Sequence, residues 1–277
     1  MRKQSNSPAG TALTIAGLDP TGGAGLVADL MTFAAYGIWG TSVATAITVQ
    51  TTEGVKRVAP VDPGLVGEQI EAITADIRPD AVKLGMLGSA DTAHAVAQAL
   101  DRLEGIPLVL DPVLSSWDGS DLSGPGTLDA ICEHLIPKAA CITPNSEEAG
   151  ELSGIEVTDE KSARLAARRI LDMGAAAVLI KGGHLSSEAG TVRDVLFLPD
   201  GELAFSHERI AGRDPHGTGC ILSSAIAAGL ALGLDLRDAA GDAISRLQSA
   251  MRNALNLGSG KKLLLIPLSP DRDQDRR

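Results

Sequence analysis

Aromatic side chains are nearly absent: three Phe, two Trp and one Tyr in 277 residues. A base or ring clamped between aromatic faces is therefore not the main recognition device, and any flat ligand must be held by aliphatic walls and polar groups. Cysteine is scarce too. Cys132, Cys141 and Cys220 are odd in number and have no paired spacing, which argues against a disulfide framework, fits a reducing compartment and leaves no zinc-type cluster. Positive charge is in deficit, with 24 Lys+Arg against 35 Asp+Glu and a formal net charge of -11. That balance disfavours nucleic acid and anionic membrane as partners. Long apolar runs are missing: the longest, 221–234, is too short for a bilayer span and contains Ser223 and Ser224. The polar opening, residues 1–10, has no apolar core and does not read as a signal peptide. Together these absences predict a cytoplasmic protein.

What the chain does have is glycine, 31 residues, and a 44% hydrophobic content, the composition of a globular protein long enough to bury a large core. Apolar segments of strand length (12–17, 42–50, 81–86, 107–113, 141–145, 176–184) alternate with segments of helical period (26–36, 63–77, 91–103, 127–135, 146–152, 161–173). Residues 191–210 alternate around Pro199-Asp200-Gly201 as a hairpin. Two helices follow, one after Cys220 and one over 236–257. No composition break marks a linker and no repeat is apparent. The pattern predicts one α/β domain over residues 12–260, a central, mostly parallel sheet with helices on both faces, flanked by flexible termini at 1–11 and 269–277.

The chain is organised around His216-Gly217-Thr218-Gly219-Cys220, which leads into a run of small apolar residues. Two glycines at the start of a helix let backbone N–H groups turn inward and make an anion hole. Cys220 sits where the loop becomes the helix, so a lowered thiol pKa and a role as base or nucleophile are expected; a glycine turn capping a helix, with Cys220 as a small core residue, fits equally well. A second glycine-rich loop, 18–25, has neither dinucleotide nor Walker A spacing. Asp29, one turn into the following helix, also reads as an acid favoured by the helix dipole. At strand ends stand Gln50, a donor and acceptor suited to an aminopyrimidine edge or a plain loop amide, and Asp111, a metal-water ligand or a turn initiator. Asn145 and Glu148, three apart at a helix start, are either a capping box or a magnesium ligand pair. Lys181, after an all-apolar strand, is better explained by a phosphate contact than by the core.

In order and spacing, residues 12–25 (ALTIAGLDPTGGAG), Ala28-Asp29-Leu30, Lys83-Leu84-Gly85-Met86-Leu87, Leu110-Asp111-Pro112-Val113, Thr143-Pro144-Asn145 with Glu148-Ala149, Lys181-Gly182-Gly183-His184 and the 216–220 stretch make residues 12–258 resemble the hydroxymethylpyrimidine/phosphomethylpyrimidine kinases of thiamine biosynthesis, within the ribokinase-like superfamily. The resemblance implies a homodimeric kinase dependent on ATP and Mg2+ that phosphorylates 4-amino-5-hydroxymethyl-2-methylpyrimidine and then its monophosphate. It places Gly17, Ala24, Asp29, Thr48, Gln50 and Met86 around the pyrimidine. Asn145 and Glu148 fall to the metal, Lys181 to the ATP phosphates, Gly217, Thr218 and Gly219 to the anion hole, and Cys220 to the position of the base.

The chain departs from the family pattern at Ser115 and Trp117, at Asp214-Pro215, at Thr48, and at 258–261, where a glycine motif is reduced to Gly258-Ser259-Gly260-Lys261. Two other readings compete. A pyridoxal kinase of the Gly-Thr-Gly-Cys type shares the loop and acts on a similar hydroxymethyl group. A catalytically silent pyrimidine-binding regulator would have no need of Lys181, Glu148 and Cys220 together.

Overall fold

The computed structural model describes residues 8–116, 118–184, 190–210 and 215–267. Nine strands form one sheet in the order β3-β2-β1-β4-β5-β6-β7-β8-β9. They are β1 (Thr11–Leu18), β2 (Trp39–Thr51), β3 (Gly54–Pro60), β4 (Ala81–Leu84), β5 (Leu108–Leu110), β6 (Cys141–Ile142), β7 (Val178–Ile180), β8 (Thr191–Leu198) and β9 (Gly201–Glu208). The six strands from β2 to β7 are parallel; β3, β8 and β9 join antiparallel at the two edges. The chain runs outward from β1 in both directions, to β2 on one side and β4 on the other, which leaves a crevice at the carboxyl ends of these strands.

The helices are α1 (Gly25–Ala35), α2 (Pro63–Asp76), α3 (Ala90–Leu100), α4 (Thr127–Ala130), α5 (Ser146–Ser153), α6 (Glu160–Asp172), α7 (Thr218–Ala231) and α8 (Leu236–Arg252). Strand residues alternate between faces, and the sheet therefore has two cores. Leu13, Ile15, Leu84, Leu108, Leu110 and Ile142 lie in the cluster that includes residues of α2, α3, α5 and α6. Ala12, Ala81, Val109 and Cys141 lie in the cluster that includes α1, α7 and α8. The α/β architecture with helices on both faces is the one that the alternating pattern predicts.

Several boundaries differ from expectation. Residues 54–60, not read as a strand, form β3, paired to β2 through Ile47–Ala59 and Val49–Arg57. The helix expected over 127–135 has those bounds, its first turn α (Thr127–Ala130) and the rest wound more widely as a π-helix over Ile131–Leu135. The last helix stops at Arg252, and the chain beyond residue 260 still contributes to the core through Leu264 and Ile266. The expected loose amino-terminal stretch ends earlier than residue 11: Thr11 is in β1, its N–H donating to Asp80 Oδ2 at 2.8 Å. The expected tail at 269–277 lies outside the described residues.

Candidate active site

A cavity of about 620 Å³ opens at the carboxyl ends of the parallel strands. Each strand delivers one part of it. β1 ends in Gly17 and Leu18 and gives way to the loop over 19–24. The Asp19 carboxylate shapes that loop by accepting from the Thr21 N–H, the Thr21 hydroxyl and the Ala24 N–H. Burial opposes the Asp19 charge, but bonds from His216 and Thr21 hold its pKa below the usual aspartate value. The loop then meets the 216–220 stretch. Gly217 has φ +83°, and a Cβ there would overlap the Gly23 carbonyl oxygen, so only glycine lets the two loops touch.

Gly217 is the N-cap of α7, and no side chain caps the helix. The Ile221 N–H donates to Gly217 O at 3.0 Å, which puts the amides of Thr218, Gly219 and Cys220 ahead of the helical ladder, at its positive end. Facing them are three charged side chains, two from neighbouring strand ends and one, Glu148, from the first turn of α5. Lys181, just after β7, places Nζ 3.3 Å from Asp111 Oδ1 and 3.7 Å from Glu148 Oε2. Asp111 follows β5 and also accepts from the Thr143 hydroxyl at 3.2 Å. Burial opposes the Lys181 charge, but Asp111 and Glu148 hold its pKa above the ordinary lysine value. Glu148 behaves oppositely: burial, added to by Asp111 and opposed by Lys181, pushes its carboxyl up to about 7.

The sequence left Asn145 and Glu148 with two readings, and the capping box is realised. Asn145 Oδ1 accepts from the Glu148 N–H at 2.8 Å, and Glu148 Oε2 accepts from the Asn145 N–H at 2.7 Å. Both residues still line the cavity. Among the described residues no group of three or more His, Cys, Asp or Glu side chains is arranged to hold a metal ion. The pair Asp111 and Glu148 nevertheless suits magnesium, a hard ion commonly held by one or two carboxylates together with substrate phosphates.

Two expectations are corrected. Cys220 does not carry a lowered thiol pKa. Burial pushes it up to about 11; the Lys83 cation and the Gly25 N–H pull it down, and Asp29 and Asp111 push it up further. Asp29 does not line the pocket. It is fully buried, because α1 turns that face onto the sheet and α7; its carboxylate receives Lys83 at 2.8 Å, the Thr14 hydroxyl at 2.6 Å and the Ser224 hydroxyl.

The other expected residues converge. Gly17, Ala24, Thr48, Gln50, Met86, Asn145, Gly217, Thr218, Gly219 and Cys220 all line the one cavity, as does Ser115. Trp117 and Asp214 lie outside the described residues. Thr48 is buried, and its hydroxyl is 3.0 Å from Leu18 O and 3.1 Å from Gln50 Oε1. Gln50 Nε2 in turn lies 3.0 Å from His216 Nε2, which is 2.8 Å from Asp19 Oδ2. The 258–261 stretch closes over the β2–β3 turn, with the Lys261 N–H donating to Thr52 O at 2.8 Å.

Asp19, His216 and Lys83 were not singled out from the sequence as site side chains. Lys83 carried the signal that exposed Lys181, a cation in an all-apolar strand. Asp19 and His216 meet only through the fold.

A family model, phosphomethylpyrimidine kinase, matches residues 19–264. The chain is 44% identical over 253 residues to the thiamine biosynthesis bifunctional protein ThiED of Geobacter sulfurreducens, covering 91% of this chain and 51% of that protein, so it spans about half the length of that relative. It is 43% identical to the hydroxymethylpyrimidine/phosphomethylpyrimidine kinase of Rhizobium meliloti, covering 90% of this chain and 94% of that one. Among solved structures, the phosphomethylpyrimidine kinase of Clostridium difficile 630 superposes with TM-score 0.77 at 38% identity, over 87% of this chain and 99% of that one. An ADP complex of Bacillus subtilis pyridoxal kinase superposes with TM-score 0.84 at 32% identity, over 92% and 96%. No helix among the described residues is long and apolar enough to cross a membrane.

Proposed function

Since the chain belongs to the phosphomethylpyrimidine kinase family, we propose that it transfers the γ-phosphoryl group of ATP to hydroxymethylpyrimidine and to its monophosphate, in thiamine biosynthesis. One observation carries this reading: Gln50, the Lys181–Asp111–Glu148 cluster and the α7 amino terminus line a single cavity. The aminopyrimidine lies against Gly17, Ala24, Met86 and Thr48. Gln50 is held between Thr48 and His216, so its amide is preorganised for the ring edge. The substrate hydroxymethyl then points at the opening turn of α7.

The amides of Thr218, Gly219 and Cys220 and the Lys181 ammonium stabilise charge on the moving phosphoryl group. Magnesium, held by Asp111 and Glu148, would supply further neutralisation of the triphosphate. Asn145 fixes Glu148 through the capping box rather than serving as a ligand by its own oxygen. Cys220 is a thiol in the resting site, with roughly one molecule in 10,000 ionised at pH 7 given a pKa of about 11. In that form it keeps its own proton and is not the base: it lines the path of the attacking hydroxyl, whose proton passes late to an oxygen of the transferring phosphoryl group, as the alcohol becomes acidic on transfer. Positioning supplies most of the acceleration, which suits a loose phosphoryl transition state. The protein acts in the cytoplasm as a homodimer.

The likeness to pyridoxal kinase structures makes pyridoxal the second substrate to test. The pure protein is incubated with ATP, Mg2+ and one of hydroxymethylpyrimidine, its monophosphate or pyridoxal, and the products are weighed by mass spectrometry. Mono- and diphosphate from the pyrimidine are expected. Phosphate on pyridoxal alone would transfer the assignment to that ring, and no product from any would favour a silent binding protein.

A further inference from the structure

One stretch singled out in the sequence has no part in the proposed chemistry: Gly258-Ser259-Gly260-Lys261. In the fold it crosses the turn that follows β2, just beyond Gln50. The Gly260 N–H donates to Thr52 Oγ1 at 3.1 Å and the Lys261 N–H to Thr52 O at 2.8 Å. A Cβ at Gly260 would overlap the Thr52 carbonyl oxygen, so the close approach needs glycine there. One residue further on, Lys262 O accepts the His216 N–H at 2.9 Å, and His216 leads directly into Gly217, the N-cap of α7. The main chain at Lys261 is thus fixed between the turn after Gln50 and the approach to the anion hole. Its side chain lines the cavity.

Four of the described residues lining the cavity are Lys or Arg. Lys83 is fully buried and paired with Asp29. Lys181 pairs with Asp111 and Glu148 beside the α7 amino terminus. Arg209, just past β9, donates to Gly183 O at 2.9 Å. Lys261 is the one whose main chain is bonded to the turn beyond Gln50. The second acceptor differs from the first by a phosphomonoester, which puts about two negative charges on the methylene that meets α7. During the second transfer Lys181 and the α7 amides are engaged by the moving group. The acceptor's own phosphate then needs a cation on the ring side of them. An ammonium on a flexible stem suits a group that is present in one step and absent in the other. We propose that Lys261 recognises the phosphate of the second acceptor, its Nζ–H groups donating to the phosphomonoester oxygens while the pyrimidine stays against Gln50. The inference rests on the reading of the protein as a kinase of both pyrimidines and deepens it.

The test is steady-state kinetics of the full chain on hydroxymethylpyrimidine and on its monophosphate, each at saturating ATP and Mg2+, with the KM for ATP measured separately. The hold on Thr52 is made by main-chain atoms, so it survives substitution of the Lys261 side chain. In Lys261→Met the KM for the monophosphate, taken relative to that for hydroxymethylpyrimidine, is expected to rise about ten-fold or more. Lys261→Arg, which keeps the charge, is expected to return most of that loss. An unchanged ratio in Lys261→Met, or a KM for ATP that rises as much as that for the monophosphate, overturns the assignment while leaving the kinase reading intact. So does an Arg variant as impaired as the Met variant. Wild-type protein that phosphorylates hydroxymethylpyrimidine but not its monophosphate overturns the assignment and the second step together, and wild-type protein that phosphorylates neither overturns the kinase reading itself.

Discussion

Lys83 and Asp29 form an ion pair wholly shut off from water, Nζ to Oδ2 2.8 Å, with both side chains at 0% exposure. The pair bridges β4 and α1 directly beneath the glycine loops. Burial opposes the Lys83 charge, yet Asp29, Cys220 and Asp111 hold its pKa above the ordinary lysine value. Removing one member strands the other. Asp29→Leu is expected to cost about 3–5 kcal/mol in urea unfolding, and the double change Asp29→Leu with Lys83→Met to recover most of it. A double variant no more stable than the single one would show that the pair holds the fold by something other than charge compensation.

Glu148 titrates near 7 in the folded protein against an ordinary value of 4.5. Between those values the folded state keeps a proton that the unfolded chain has released. Stability therefore falls as pH rises through this window, and the penalty is complete above 7. Glu148→Gln keeps an acceptor for the Asn145 N–H and leaves Asp111 to Lys181. It is expected to gain about 1–3 kcal/mol at pH 8 and nothing at pH 4, with lower turnover. An equal effect at both pH values would mean that the carboxylate is not strained by its surroundings.

Cys220 is expected to resist alkylation at pH 7. Its rate of reaction with iodoacetamide, followed by peptide mass mapping, is expected to climb about ten-fold per pH unit toward its value of about 11. Cys141, buried in the sheet and with its thiol pushed up to about 12, serves as the unreactive internal reference. Rapid labelling of Cys220 at neutral pH would restore the thiolate that the loop–helix position by itself suggests.

Gly217 and Gly219 are expected to fail differently. Gly217→Ala puts a Cβ onto the Gly23 carbonyl at φ +83° and is expected to lower stability by about 1–3 kcal/mol. A Cβ at Gly219 would instead stand 3.3 Å from both Asp111 Oδ2 and Lys181 Nζ, in the space that the proposed reaction gives to phosphate. Gly219→Ala is expected to fold with a near-normal melting temperature and to lose turnover by about 10²-fold or more. Full activity in Gly219→Ala would remove this turn from the phosphate path.

By itself the sequence determined what acts over short range. Apolar periodicity decided which segments are strands and which are helices, glycine spacing decided where the backbone bends, and the three-residue step from Asn145 to Glu148 allowed their mutual cap. The ordered motifs carried the kinase family and most of the cavity's lining. Tertiary structure decided what depends on distant neighbours. The joining of Asp19 to His216, 197 residues apart, the withdrawal of Asp29 from the pocket onto Lys83, and the bonding of Lys261 to Thr52 are invisible to local pattern. Cys220 shows the reason. The start of a helix lowers a thiol pKa through a local dipole, but burial and two carboxylates brought in from other strands and helices raise it further. Desolvation and charge are properties of the assembled surroundings rather than of the segment.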